Sequence, residues 1–247
     1  MLPDGGYYIL GTDFETPREM RLVADAGPLG YREIAAHGHA DALSFTLSIG
    51  GVEMLVDPGT FAYHTEARWR GYFRGTSAHN TVRIDGADQS QPGGNFMWLR
   101  KANAGCSAWS SGATRDSFEG WHDGYGALAD PVMHRRRIEL DKRARAIALE
   151  DTLEMKGGHE VELFLHCAEG SRVEAIPGGY AVTREGQALR ITLPDLAGGE
   201  STVLEGSEAP IGGWVSRRFD RKVAAPTLVW KARLAGDSCL RTSISCE

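Results

Sequence analysis

Leu43, Phe45, Leu47 and Ile49 alternate with Ser44, Thr46 and Ser48. A period of two sends one set to a buried face and the other toward solvent, which predicts a half-buried strand. Gly50-Gly51 tolerates the left-handed backbone of a two-residue hairpin turn, and Val52, Met54 and Val56 answer on the return strand. Similar patterns predict strands over 7–10, 20–24, 79–84, 132–140, 144–155 and 159–168. They continue over 171–176, 180–184, 188–193, 228–234 and 240–245, with Asp85-Gly86, Gly157-Gly158 and Glu185-Gly186 as turns. Residues 89–95 read as a polar loop, and helical periodicity is confined to about one turn near 66–72. No repeat, low-complexity segment or linker interrupts the series. The expectation is an all-β chain, a single domain over 1–247 built as a large antiparallel β-sandwich.

The alternation also sets up a conflict. Asp57 should point with Ser44 and Thr46, away from the Val56 face, whereas His37 and His39 on an extended strand would share the Phe45 face. These groups can meet only if the chain bends before Ala42 or after Val56. Pro58-Gly59 offers a bend directly after the acid.

Bulk properties narrow the function classes. A chain of 247 residues is long enough for a substantial core, and its 31 glycines fit many turns. A net charge of −6 does not suggest a nucleic-acid partner. No apolar run approaches membrane-spanning length, and Met1-Leu2-Pro3-Asp4-Gly5 carries no signal-peptide pattern. Cys106, Cys167, Cys239 and Cys246 form no Cys-x-x-Cys pair, so a thiolate metal site is not expected; disulfides and buried thiols both fit.

Chemistry-bearing residues gather between His37 and Asn80. His37 and His39 sit one residue apart, and Asp57 and His79 follow at wide spacing. Two imidazoles and one carboxylate are ordinary zinc ligands that leave a tetrahedral position for water. A histidine beside a strand serves equally as a hydrogen-bonded structural residue, and Asp57 before Pro-Gly as a turn cap. Asp41 suits an outer partner for one imidazole. Asn80 suits backbone satisfaction, and His166 a satisfied core position with a secondary claim on the cleft.

His37-Gly38-His39-Ala40-Asp41-Ala42-Leu43-Ser44, then Val56-Asp57-Pro58-Gly59-Thr60, then Ala78-His79-Asn80-Thr81-Val82-Arg83-Ile84-Asp85-Gly86 resemble the C-terminal half of the heparinase II/III-like polysaccharide lyases. The resemblance runs over about 5–98. It implies a β-sandwich that partners an N-terminal helical toroid lying outside this chain, and β-elimination on a uronate-containing, anionic polysaccharide. It implies His37 as the catalytic or substrate-binding residue, and His39, Asp57 and His79 as ligands of a structural zinc. The family's tyrosine acid/base and its uronate-neutralising group come mainly from the toroid, so the isolated chain is expected to be nearly inactive. The full-length protein is expected to be periplasmic or secreted.

Arg68, Trp69 and Tyr72 are the substrate-binding candidates, with Tyr63, Trp98, Arg70 and Arg74 beside them. Aromatic faces stack on sugars, and guanidinium forks grip carboxylate or sulfate, although buried aromatics are the commoner use in a sandwich. The basic run His134-Arg135-Arg136-Arg137, with Lys142, Arg143 and Arg145, fits a polyanion contact or, better, a charged strand edge. Two other functions compete with the lyase: a non-catalytic carbohydrate-binding or interaction module, and a glycoside or metal hydrolase. The hydrolase is the weakest, because glycosidases usually pair carboxylates across a cleft.

Overall fold

The computed structural model describes residues 1–30 and 34–246. The alternating segments become strands, and every pairing within its three main sheets is antiparallel. The first sheet holds Tyr7–Thr12, Met20–Asp25, Phe45–Ile49 and Val52–Leu55 in chain order. Gly50 and Gly51, with φ of 56° and 82°, make the hairpin turn between its last two strands. A second sheet runs Glu200–Leu204, Thr227–Ala235, Gly158–His166, Val82–Ile84. The two meet where Leu55 bridges Cys167, a junction extended by Val56 N–H on His166 O at 2.9 Å.

An eight-stranded sheet completes the sandwich, in the order Arg172–Ile176, Gly179–Arg184, Gln187–Thr192, Ser238–Cys246, Ala146–Glu154, Val132–Asp141, Arg115–Tyr125, Ala104–Ser111. All three sheets share one apolar core, to which Leu22, Phe45 and Leu47 contribute from the first, Leu163 and Trp230 from the second, and Phe118, Ile138 and Leu149 from the third. Among the described residues, no helix is long and apolar enough to cross a membrane. The four cysteines are free thiols, with Cys167 buried.

Several expectations are corrected. Residues 89–95 are not simply loop: Gln91–Gly94 pairs with Met97–Arg100 as a small hairpin. The helical turn is a two-turn helix, Ala67–Arg74. Gly157-Gly158 joins strands of different sheets, not of one hairpin. Strands Ala104–Ser111 and Arg115–Tyr125 escaped the hydrophobic pattern. The buried face of the second carries Asp116, Gly120, His122 and Gly124 besides Phe118, so its alternation is not one of apolarity.

The basic run is neither an edge nor a polyanion contact as a unit. Val132–Asp141 lies inside the sheet between two partners, and alternation buries His134 and Arg136 while Arg135 and Arg137 face water. Arg136 donates from Nε and Nη2 to the Asp151 carboxylate at 2.7 and 3.0 Å. Its Nη1 donates to the carbonyls of Leu43 and Asn80 at 2.7 and 2.6 Å. The Gly124 amide donates to His122 Nδ1, so His122 Nε2 donates to His134 Nδ1 at 2.9 Å, and His134 Nε2 donates to Asp151 at 2.7 Å. Burial opposes a charge on Asp151, but Arg136 and His134 outweigh it and hold the carboxyl below its usual range. Burial keeps both histidines neutral. Every charge in this network is therefore matched.

Another histidine ties the fold at its rim. His159 faces Asp85 through Nδ1 at 2.7 Å and Asp130 through Nε2 at 2.9 Å. Burial works against its charge, yet the two carboxylates raise its pKa above the ordinary histidine value. Such a group stabilises fully below the unfolded pKa, and the contribution fades as pH rises through the folded one. His159→Gln should therefore lower the melting temperature more at about pH 5.5 than at about pH 9. Equal losses at the two pH values would contradict the assignment.

Candidate functional site

The register conflict is resolved by a bend on each side. Leu43 adopts a φ of 62°, which breaks the strand before Phe45 and swings His37–Asp41 out of its alternation. Leu43 N–H donates to Asp25 O, Ala40 N–H to Arg74 O, and Thr81 Oγ1 to Ala42 O, so the loop is pinned on three sides. On the other side the strand ends at Leu55, and the chain turns through Asp57-Pro58-Gly59. Pro58 O accepts Ser216 N–H at 2.7 Å, and a Cβ on Gly59, whose φ is 85°, would lie 2.2 Å from Ser216 O. Only glycine fits that approach.

Asp57 divides its oxygens. Oδ1 caps the turn by accepting Gly59 N–H at 2.8 Å, and Oδ2 faces His79 Nδ1 at 2.7 Å. His79 ends the short 3-10 helix Thr76–Ala78 and is fully buried. His39 lies 5.2 Å from it between ring centroids. One ligand-type atom from each of His39, Asp57 and His79 lies within 4.8 Å of the others. His79 Nε2 is buried without a hydrogen-bond partner.

The electrostatics suit a cation. Burial, aided by the nearby charge of His79, lowers His39 to about 3, leaving a neutral imidazole with a free lone pair. Burial opposes ionisation of Asp57, but the charge and hydrogen bond of His79 hold its carboxyl down to about 2. Burial pushes Asp41 up to about 7 and Asp25 up to about 6, with neighbouring carboxylates adding to both. Among the described residues Asp41 is not bonded to an imidazole; the carboxylate at this site that is bonded to one is that of Asp57.

His37, Gly38, His39, Asp41, Asp25 and Thr60 line a pocket of about 490 Å³. His37 is exposed at its rim, with Tyr63 at 5.1 Å and Phe96 at 6.0 Å between ring centroids. Arg68 and Tyr72 line a different cleft, of about 580 Å³, with Arg83, Asp88, Phe164 and Lys231. Trp69 and Tyr72 are buried against Phe61 and Phe73, and Arg68 pairs with Glu208 at 3.1 Å. None of these three lines the pocket that holds His37. Trp98 is buried as well, donating to Ala35 O.

Two further residues support the site from behind. Asn80 Nδ2 donates to Phe45 O and Val56 O, and its Oδ1 accepts His166 N–H, as the backbone role requires. His166 is buried, bonds Thr227 Oγ1 at 2.9 Å, and is lowered to about 3 by burial and by the charge of His79. Asp25 and Phe96 had no sequence signal of their own, and Thr60 entered only as the last residue of the Asp57 motif. Each arrives from a separate segment whose course only the packed fold defines.

The sequence profile of the Heparinase II/III-like, C-terminal family matches residues 1–243. No curated protein matches the chain. Among solved structures, heparan sulfate lyase HepC from Pedobacter heparinus is 18% identical with a TM-score of 0.80, covering 99% of this chain and 36% of that one. A heparinase III is 17% identical with a TM-score of 0.77, covering 100% of this chain and 36% of that one. The chain thus spans about a third of these structures' length, and at such identity they establish the fold. With the profile running across both halves of the sandwich and all three histidine and aspartate motifs, this chain belongs to the Heparinase II/III-like C-terminal family.

Proposed function

We propose that this chain is the sandwich part of a polysaccharide lyase that cleaves a uronate-containing glycan by β-elimination. The observation that carries this reading is the placement of exposed His37 on a pocket that it shares with His39, whose ring converges with Asp57 and His79. In the elimination a base takes the C5 proton, the C4–O4 bond breaks, a C4–C5 double bond forms, and the departing O4 takes up a proton. An imidazole open to solvent can move a proton at C5 or O4 near neutral pH. A helical domain outside this chain would supply the remaining acid/base and neutralise the uronate carboxylate. The test is ultraviolet absorbance of the conjugated product when the full-length protein acts on a uronate polymer. No absorbance on any uronate polymer would overturn the reading.

The same reading places a structural zinc on His39, Asp57 and His79. The donor set fits: two imidazoles, one of them held neutral, one ionised carboxylate, and a buried His79 nitrogen with no other partner. Bound there, the metal would tie the His39 loop to the turn at Asp57, adding its binding free energy to folding. Elemental analysis of protein prepared without chelators should find about one zinc per chain. His79→Ala should lower the melting temperature, with no recovery on added zinc. Metal-free protein, or a variant that melts like the parent and keeps its metal, would refute it.

A further inference from the structure

We propose that Tyr63, Phe96 and Phe219 form a stacking surface for the pyranose rings of the glycan, leading outward from His37; this rests on the lyase reading above. The rings come from separate segments, yet Tyr63 lies 5.1 Å from His37, 5.5 Å from Phe96 and 5.0 Å from Phe219 between centroids. Phe96 and Phe219 are 41% and 57% exposed. An exposed aromatic cluster leaves apolar area in water, so an array of rings around a candidate proton-transfer residue points to a ligand that covers it.

The surface is held in place rather than loosely displayed. Arg70 Nε and Arg74 Nη1 both donate to Asn95 O at 3.2 Å, which fixes the hairpin tip immediately before Phe96. Asp220 N–H donates to Phe61 O at 2.9 Å, which fixes the turn that carries Phe219. A binding surface fixed before contact loses less conformational freedom when the ligand arrives.

Its chemistry favours a sugar acid over an apolar protein face. The ring planes of the His37–Tyr63, Tyr63–Phe96 and Tyr63–Phe219 pairs are inclined at 67°, 46° and 50°, so they present separate facets rather than one flat patch. The C–H faces of a pyranose stack on such facets while its hydroxyls stay in water. Arg70 lies 5.1 Å from the Tyr63 ring centroid, and Arg70 and Arg74 are both buried without a salt bridge among the described residues. Their positive charge, offset only in part by Asp88 near Arg74, sits behind the rings and draws an anionic polymer toward them.

The test uses full-length Phe96→Ala, Phe219→Ala and the double variant, assayed by elimination on a uronate polymer. The double variant should raise KM by roughly tenfold with kcat little changed, and Phe96→Tyr should restore most of the affinity. An unchanged KM in the double variant would overturn the proposal. So would a large loss of melting temperature that Phe96→Tyr does not repair, which would make the rings a contact with another protein domain. If wild-type protein eliminates nothing, the lyase reading fails separately. Calorimetry with a uronate oligosaccharide then decides the surface: weaker binding by the double variant supports it, and equal or absent binding ends it.

Discussion

His37→Ala in the full-length protein should lower the elimination rate by roughly a hundredfold or more, the scale of a positioned acid or base. The loss should fall on kcat if, as proposed, the imidazole moves a proton in the transition state and adds little to ground-state binding. Fold and the proposed metal site should be unaffected: His37 is exposed, and the convergent ligand-type atoms belong to His39, Asp57 and His79. Its replacement should change stability by no more than about 0.5 kcal/mol, as for other surface positions. A full-length variant that keeps full activity would make His37 merely part of the rim. A variant that loses activity together with melting temperature would mean the loop, not the imidazole, had failed.

Arg136→Met should destabilise the protein by about 3–5 kcal/mol, the cost of leaving one member of a buried ion pair alone. The substitution strands the Asp151 carboxylate and removes the donor to Leu43 O and Asn80 O. Those carbonyls belong to the bend beyond His39 and to the residue after His79, so the site should loosen with the sheet. For a domain of this size the loss corresponds to roughly 10 °C in melting temperature. Removing the stranded charge as well, in Arg136→Met with Asp151→Asn, should recover part of it. A single variant within about 1 kcal/mol of the parent would show that the pair contributes little beyond its own desolvation.

Sequence alone determined what depends on near neighbours along the chain. The hairpin at Gly50-Gly51 is a matter of two residues that tolerate positive φ between two alternating runs. The same local logic exposes Arg135 and Arg137 and makes Asp57 a turn cap. The residues of the three histidine and aspartate motifs, in their order along the chain, also carried the resemblance to the family. Tertiary structure alone decided whether those motifs meet. Alternation taken by itself sent His39 and Asp57 to opposite faces, and the left-handed bend at Leu43 is stabilised by Asp25 and Arg136, which are remote in sequence. Tertiary structure also buried His134 and Arg136, because their compensating partners, Asp151, His122 and the carbonyls of Leu43 and Asn80, lie on other strands and loops. It sent Trp69 and Tyr72 into a core and brought Phe96 to His37 and Phe219 to Tyr63 instead. Hydrophobic period reports which way a side chain faces relative to its own strand. Whether a polar group may be buried, or an aromatic ring left exposed, depends on what the rest of the chain places against it.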